Sequence, residues 1–144
     1  MIKTLLVPYD GSPESEAAFN FALDLAKTYK SELHVLSVVR VPEPPTDVEA
    51  EAVIESSTEH FKKLFHELRK KAKASGIEIK TQVMPGHPTD QILHESEKVK
   101  ADVIVMGHQT RSKFGRWLIG STADRIVDHA QCTVIVVKKN HHDK

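Results

Sequence analysis

Ala101-Asp102-Val103-Ile104-Val105-Met106, residues 101–106, is the stretch that decides the fold. It is a nearly continuous apolar run, without the alternation of a strand that keeps one face in water. Such a run reads as a strand buried on both faces, which requires helices above and below a mostly parallel sheet. Gly107 closes it, and the segment on to Gly120 is irregular and rich in glycine, polar and basic residues. The spacing then predicts a helix over Ser121–Ala130 and a last strand over Thr133–Val137, TVIVV.

The same pattern runs back to the N-terminus. Ile2–Pro8 (IKTLLVP) is β-rich and ends at the turn signal Tyr9-Asp10-Gly11. Ser12 and Pro13 open a helix, with serine as N-cap and proline at the first helical position. Ala17, Ala18, Phe21, Ala22, Leu25, Ala26 and Tyr29 follow at helical spacing. Leu33–Val39 (LHVLSVV) is a second strand, and Pro42, Pro44 and Pro45 make Arg40–Asp47 an extended loop. A long helix from Val48 to Ser75 carries Val53, Ile54, Phe61, Leu64, Phe65 and Leu68 as its stripe, and Gly76 stops it. Ile77–Met84 (IEIKTQVM) alternates cleanly, as a strand near a sheet edge does. Gly86-His87-Pro88 starts a helix running to Val99, with His87 as its cap and Ile92 and Leu93 inward. The order β-α-β-α-β-α-β-loop-α-β makes this an α/β chain with helices on both faces of a mostly parallel sheet. No repeat or second domain is visible, so one domain is expected over residues 1–138, with a polar tail at 139–144.

Composition narrows the function. The chain has 144 residues, 40% hydrophobic and 28% charged, which suits a globular domain with a real core. Its 20 basic and 20 acidic residues cancel, which argues against nucleic acid as a main partner, because phosphate contacts call for a basic excess. Cys132 is the one cysteine, so no internal disulfide forms. The apolar start is short and lacks a small-residue cleavage site, so it reads as a strand. No run approaches the roughly 20 apolar residues that span a bilayer. The expectation is a cytoplasmic protein with no membrane partner.

In open α/β sheets, ligands bind outside the carboxyl ends of the strands, where strand order reverses. Three strand ends are therefore candidates: Tyr9-Asp10-Gly11-Ser12, Val38-Val39-Arg40, and Gly107 onward. The strongest feature is Gly107-His108-Gln109-Thr110-Arg111 followed by Gly120-Ser121-Thr122. Gly107 lets another group approach the backbone closely. Gly120-Ser121-Thr122 opens a helix, whose unpaired N–H groups and positive dipole end favour phosphate. Arg111, Lys113 and Arg116 add cationic charge. Each part also has a plainer use: Ser121 or Thr122 as helix cap, the glycines for turn geometry, the basic residues as solvated surface. Asp10 could accept from a ribose hydroxyl or hold a metal through water, or it could simply cap its own turn.

Other features carry less chemistry. Of the nine histidines, only His141-His142, beside Asp143, stand at metal-ligand spacing, in what reads as a solvated tail. Phe114 and Trp117 could cover the ligand loop or anchor it to the core. No Walker A sequence, Gly-x-Ser-x-Gly elbow or His-Glu-x-x-His is present. Cys132, just before an apolar strand, reads as a small buried filler.

Taken as a set, Val7-Pro8-Tyr9-Asp10-Gly11-Ser12, the Gly86-His87-Pro88 turn, Val103–Gly107, Gly120-Ser121-Thr122 and Cys132–Val137 resemble the motifs of the universal stress protein family, end to end and in order. The resemblance implies a Rossmann-like (adenine nucleotide α-hydrolase-like) three-layer sandwich whose five-stranded sheet has the order 3-2-1-4-5. Asp10 and Gly107 would then flank one crevice. ATP-binding members carry a glycine, two residues, a glycine, nine residues, then glycine and Ser/Thr. This chain matches at Gly107, Gly120 and Ser121 and departs at Thr110. The implied roles are adenine against Val38 and Val39, ribose near Asp10 and Gly107, and phosphates along Thr110, Arg111, Gly120, Ser121 and Thr122. Pro8, Tyr9, Met106 and His108 complete the implied nucleotide site. The implied ligand is ATP or another adenine nucleotide, ADP or AMP, with Mg2+ as an option.

Where the backbone at position 110 needs positive φ, a β-branched threonine costs on the order of 1–3 kcal/mol. Its hydroxyl could instead donate to phosphate. Three functions are open: a non-enzymatic nucleotide-binding regulator in a stress response, a dimeric interaction protein that does not use nucleotide, and a weak ATPase. The resemblance also implies a homodimer through antiparallel pairing of Thr133, Val134, Ile135, Val136 and Val137, a row whose unpaired edge groups invite association.

Overall fold

Nine elements alternate along the chain: β1 (Thr4–Pro8), α1 (Pro13–Tyr29), β2 (Glu32–Val39), α2 (Asp47–Ala74), β3 (Ile79–Pro85), α3 (Pro88–Lys98), β4 (Val103–Gly107), α4 (Gly120–His129) and β5 (Thr133–Val137). The structure, a computed structural model, describes residues 1–40, 47–108 and 120–138. The strands form one sheet of order β3-β2-β1-β4-β5, and every pair is parallel. This is the order the family resemblance implies. β3 and β5 are the edges, as the alternation in β3 foretells.

Strand alternation sends side chains into two cores. Leu5, Val7, Leu33, Val35, Val103 and Val105 face α1 and α2, where Phe19, Phe65 and Leu68 meet them. Leu6, Leu36, Ile104 and Met106 face α3 and α4, against Ile92, Ala123 and Ile126. Leu5, Leu6, Val7, Ile104 and Val105 are fully buried, so β1 and β4 are the central strands covered on both sides. Each such leucine or isoleucine contributes about 1.5–3 kcal/mol by leaving water.

Local chemistry sets the ends. Ser12, in extended conformation, caps α1 by accepting from the Ser15 N–H at 3.1 Å, and Pro13 takes the first helical position. His87 occupies the N-cap position of α3, but its side chain makes no capping hydrogen bond. The cap read from the sequence is thus positional only, since imidazole is not among the short side chains that reach back to their own turn. β3 starts two residues later than its alternation suggests. The Ile77 N–H is committed to Ala72 O at 2.9 Å, where it closes α2. β4 likewise starts at Val103, because the Ala101 N–H bonds Ser96 O at 2.9 Å to finish α3.

Asp102 ties the start of β1 to β4. Its Oδ2 accepts from the N–H groups of Lys3 at 2.8 Å and Thr4 at 2.9 Å, while its own N–H donates to Thr4 O at 2.8 Å. These backbone donors, Thr4 first and then Lys3, hold its carboxyl below the ordinary value of 3.8. A depressed folded value means the clamp stabilises above the unfolded pKa and is lost as pH falls through the folded one. Asp102→Ala therefore lowers the urea midpoint at pH 7, and the gap to the parent closes as the pH falls below 3.8.

Candidate functional site

The order of the sheet reverses between β1 and β4. From β1 the chain moves through β2 to β3 on one side, and through β4 to β5 on the other. α1, which follows β1, and α4, which follows β4, pack on opposite faces of the sheet, and a cavity lies outside the carboxyl ends of the two strands.

On the β1 side, Tyr9 is anchored from three directions. Its N–H donates to Leu36 O at 2.8 Å, its carbonyl accepts from the buried Ser37 hydroxyl at 2.6 Å, and its phenol donates to Glu16 on α1. Burial, then the Glu16 hydrogen bond, pushes the phenol pKa well above its ordinary value, so it stays protonated as a donor. Lys71 on α2 reaches Glu16 at 3.5 Å and Asn20 at 2.8 Å, extending the anchor across the helical layer. Asp10 follows directly from this fixed point. Its Oδ1 accepts from the Ser12 N–H at 2.9 Å and its side is exposed. The plainer reading of Asp10 as a turn residue is therefore met, and the carboxylate still lines the crevice.

On the β4 side, Gly107 does what its sequence position suggests, with an unforeseen neighbour. A Cβ there would stand 2.5 Å from the Glu14 carbonyl oxygen and 2.6 Å from its carbonyl carbon. The group that approaches so closely is the first turn of α1. Glycine is required because backbone meets backbone.

Between these elements lies a cavity of about 520 Å³. Of the residues singled out from the sequence, Pro8, Tyr9, Asp10, Ser12, Val38, Arg40, Met106, Gly107 and Thr122 line it. Val39 is buried and His108 is half-buried, with its N–H on Val137 O at 2.9 Å; neither is on the cavity wall. Gly120 and Ser121 open α4. Thr110, Arg111, Lys113, Phe114, Arg116, Trp117 and the tail at 139–144 lie outside the described residues. The wall also includes Glu14, Ser15, Leu36, Pro88, Ile92 and Ala123. Strand periodicity could have found Leu36, which falls on the side of β2 shared by Val38 and Arg40. Pro88, Ile92 and Ala123 arrive through helix packing, which leaves no local mark in sequence.

The cavity is divided by chemistry. Leu36, Val38, Met106 and Ile92 form an apolar wall that continues the second core outward. Asp10 and Glu14 stand at the α1 corner, and α1 has two acids, Glu14 and Glu16, in its first turn. α4 has none in its first turn, so its positive dipole end is not offset there. Thr122, in that turn, adds a hydroxyl to the wall. Among the described residues no group of three or more His, Cys, Asp or Glu stands close enough to hold a metal ion, so no step is assigned to one. Among those residues, too, no helix is long and apolar enough to cross a membrane.

Residues 1–138 match the model of the universal stress protein family. A universal stress protein of Methanocaldococcus jannaschii is 34% identical over 142 residues, covering 96% of this chain and 84% of that one. The structure of the universal stress protein UspA from Lactobacillus plantarum superposes with a TM-score of 0.85 at 29% identity, over 94% of this chain and 97% of that one. A universal stress protein in complex with cAMP superposes with a TM-score of 0.68 at 25% identity, over 94% and 96% of the two chains. The fold, the crevice and these matches agree: the chain belongs to the universal stress protein family.

The contact at Gly107 predicts that Gly107→Ala destabilises the fold, because the Glu14 backbone cannot yield as a flexible side chain would. The expected loss is about 1–3 kcal/mol, read from urea unfolding without ligand.

Proposed function

We propose that this chain binds an adenine nucleotide, ATP, ADP or AMP, as a regulatory ligand in a stress response and does not turn it over. The observation that carries this reading is one cavity at the switch point of the sheet. It joins an apolar wall, a carboxylate at Asp10 and the acid-free N-terminus of α4. Each part suits one portion of a nucleotide. Leu36, Val38 and Met106 can cover a base; Asp10 can accept from ribose hydroxyls; the α4 terminus, with Thr122, can receive phosphate. The related universal stress protein that holds cAMP supports the choice of an adenine nucleotide. Mg2+, where it takes part, would arrive with the phosphates. The compartment in this reading is the cytoplasm.

Thr110 favours a second reading, in which the chain works as a dimer without nucleotide, because it replaces a glycine of the ATP-binding motif. Calorimetry on the full chain separates the two. The nucleotide reading expects heat with ATP, ADP or AMP at sub-millimolar concentration. It also expects about tenfold weaker binding in Asp10→Ala, the scale of one lost hydrogen bond to a charged group. Binding that is absent in the parent and appears in Thr110→Gly decides for the second reading.

The homodimer in this proposal pairs β5 with its copy, since β5 is a sheet edge with Val134, Ile135, Val136 and Val137 only part-buried. Light scattering at micromolar concentration is expected to give twice the monomer mass, and a charge placed at Ile135 to halve it. A monomeric parent refutes the dimer.

A further inference from the structure

We propose that the second copy of this chain, paired along β5, is also held by α1, through an apolar flank centred on Phe21. This rests on the dimer reading of β5 and names a further surface which that dimer buries. β5 offers only five residues, Thr133–Val137. A stable interface buries about 800 Å² and about 20–30 residues on each side. Strand pairing alone falls short of that, so elements beside β5 have to add to it.

The direction of Phe21 follows from its neighbours on α1. Ala18, Ala22 and Ala26 mark the buried stripe of that helix. At 3.6 residues per turn, Glu16 and Asn20 lie to one side of the stripe, and Phe21 and Leu25 to the other. Lys71 of α2 reaches Glu16 at 3.5 Å and Asn20 at 2.8 Å, so the first side faces α2. α2 packs on β2 and β3, toward the opposite end of the sheet from β5. Phe21 and Leu25 therefore face β5. Leu25 and Ile135 are both part-buried against the core under α1, while the Phe21 ring is left 43% exposed.

The height of Phe21 agrees. A Cβ at Gly107 would stand 2.5 Å from the Glu14 carbonyl oxygen, and Gly107 is in register with Val137, so Glu14 and Val137 are level. From position 14 to position 21 is about 10 Å along α1, and helical side chains lean back toward the N-terminus. From position 137 to position 135 is about 7 Å along β5. The ring thus falls beside Ile135, the middle residue of β5. An antiparallel pairing of the whole strand puts its twofold axis there. The two Phe21 rings then converge over the paired Ile135 side chains.

The test is the dimer dissociation constant from sedimentation equilibrium on the full chain, for the parent, Phe21→Ala and Val48→Ala. Val48 is more exposed than Phe21, at 79%, but lies on α2. Phe21→Ala is expected to weaken the dimer about tenfold, the scale of one aromatic anchor, and Val48→Ala to leave it unchanged. A dimer unaltered by Phe21→Ala overturns the α1 contact and leaves the β5 dimer standing. Equal weakening by both variants overturns it too. Hydrogen exchange on the parent, above and below its dissociation constant, tests the same contact without a variant that has to fold. Protection that depends on the dimer is expected in α1 around Phe21 as well as in β5, and protection that leaves α1 unchanged overturns the contact. A monomeric parent overturns the dimer reading together with this one.

Discussion

A carbon atom that is missing at Gly107 makes the crevice possible. α1 begins so close to the end of β4 that any side chain at this position would press on the Glu14 carbonyl. The approach draws the N-terminus of α1 over the strand pair where the sheet reverses, and so sets one wall of the cavity. The other constraint on that wall is the threefold anchoring of Tyr9, which fixes the chain just before it turns at Asp10. The phenol lies beside the cavity, yet its role is mechanical. Buried and tied to Glu16, it holds its proton and braces β1 against α1.

Asp10 takes the turn role weighed from its sequence position and also lines the cavity. One oxygen closes the turn by accepting from Ser12, and the residue lines the crevice. A turn bond of this kind spends no flexibility on binding, because the carboxylate is already held when a ligand arrives. Local structure and site are thus the same contact seen from two sides.

The fold was legible in the sequence because its signals are local. The apolar run of β4, the alternation of β3 and the Ser12-Pro13 start of α1 each follow from the nearest neighbours in the chain. The strand ends were legible to within two residues. The exceptions at Ile77 and Ala101 arise where a backbone N–H closes the preceding helix and is not available to the ladder. The cavity wall was legible at the strand ends: Asp10, Ser12, Val38, Arg40 and Gly107 follow from position, and Pro8 and Met106 from the family resemblance. Val39 was grouped with Val38, but consecutive strand residues point to opposite faces, and only Val38 reaches the cavity. Pro88, Ile92 and Ala123 were not legible, since they reach the wall only when α3 and α4 pack on the second core. That Gly107 would meet Glu14, rather than a ligand, likewise depends on a contact 93 residues apart in sequence, between positions 14 and 107.

The distribution of charge around the cavity orients whatever anionic ligand enters it. Three of the helices, α1, α3 and α4, put first-turn residues on the cavity wall, and each offers unpaired N–H groups and a positive dipole end. They are not equivalent. α1 carries Glu14 and Glu16 in its first turn and α3 carries Asp90, so their dipole ends are already answered by carboxylates. α4 has no acid there. A phosphate placed at α1 would meet Asp10 and Glu14 and be repelled, whereas at α4 it meets only donors among the described groups. The opposite side of the cavity is the apolar row of β2, Leu36 and Val38. In a chain with no net charge, the asymmetry of this cavity thus comes from where the acids are absent, not from how many bases are present.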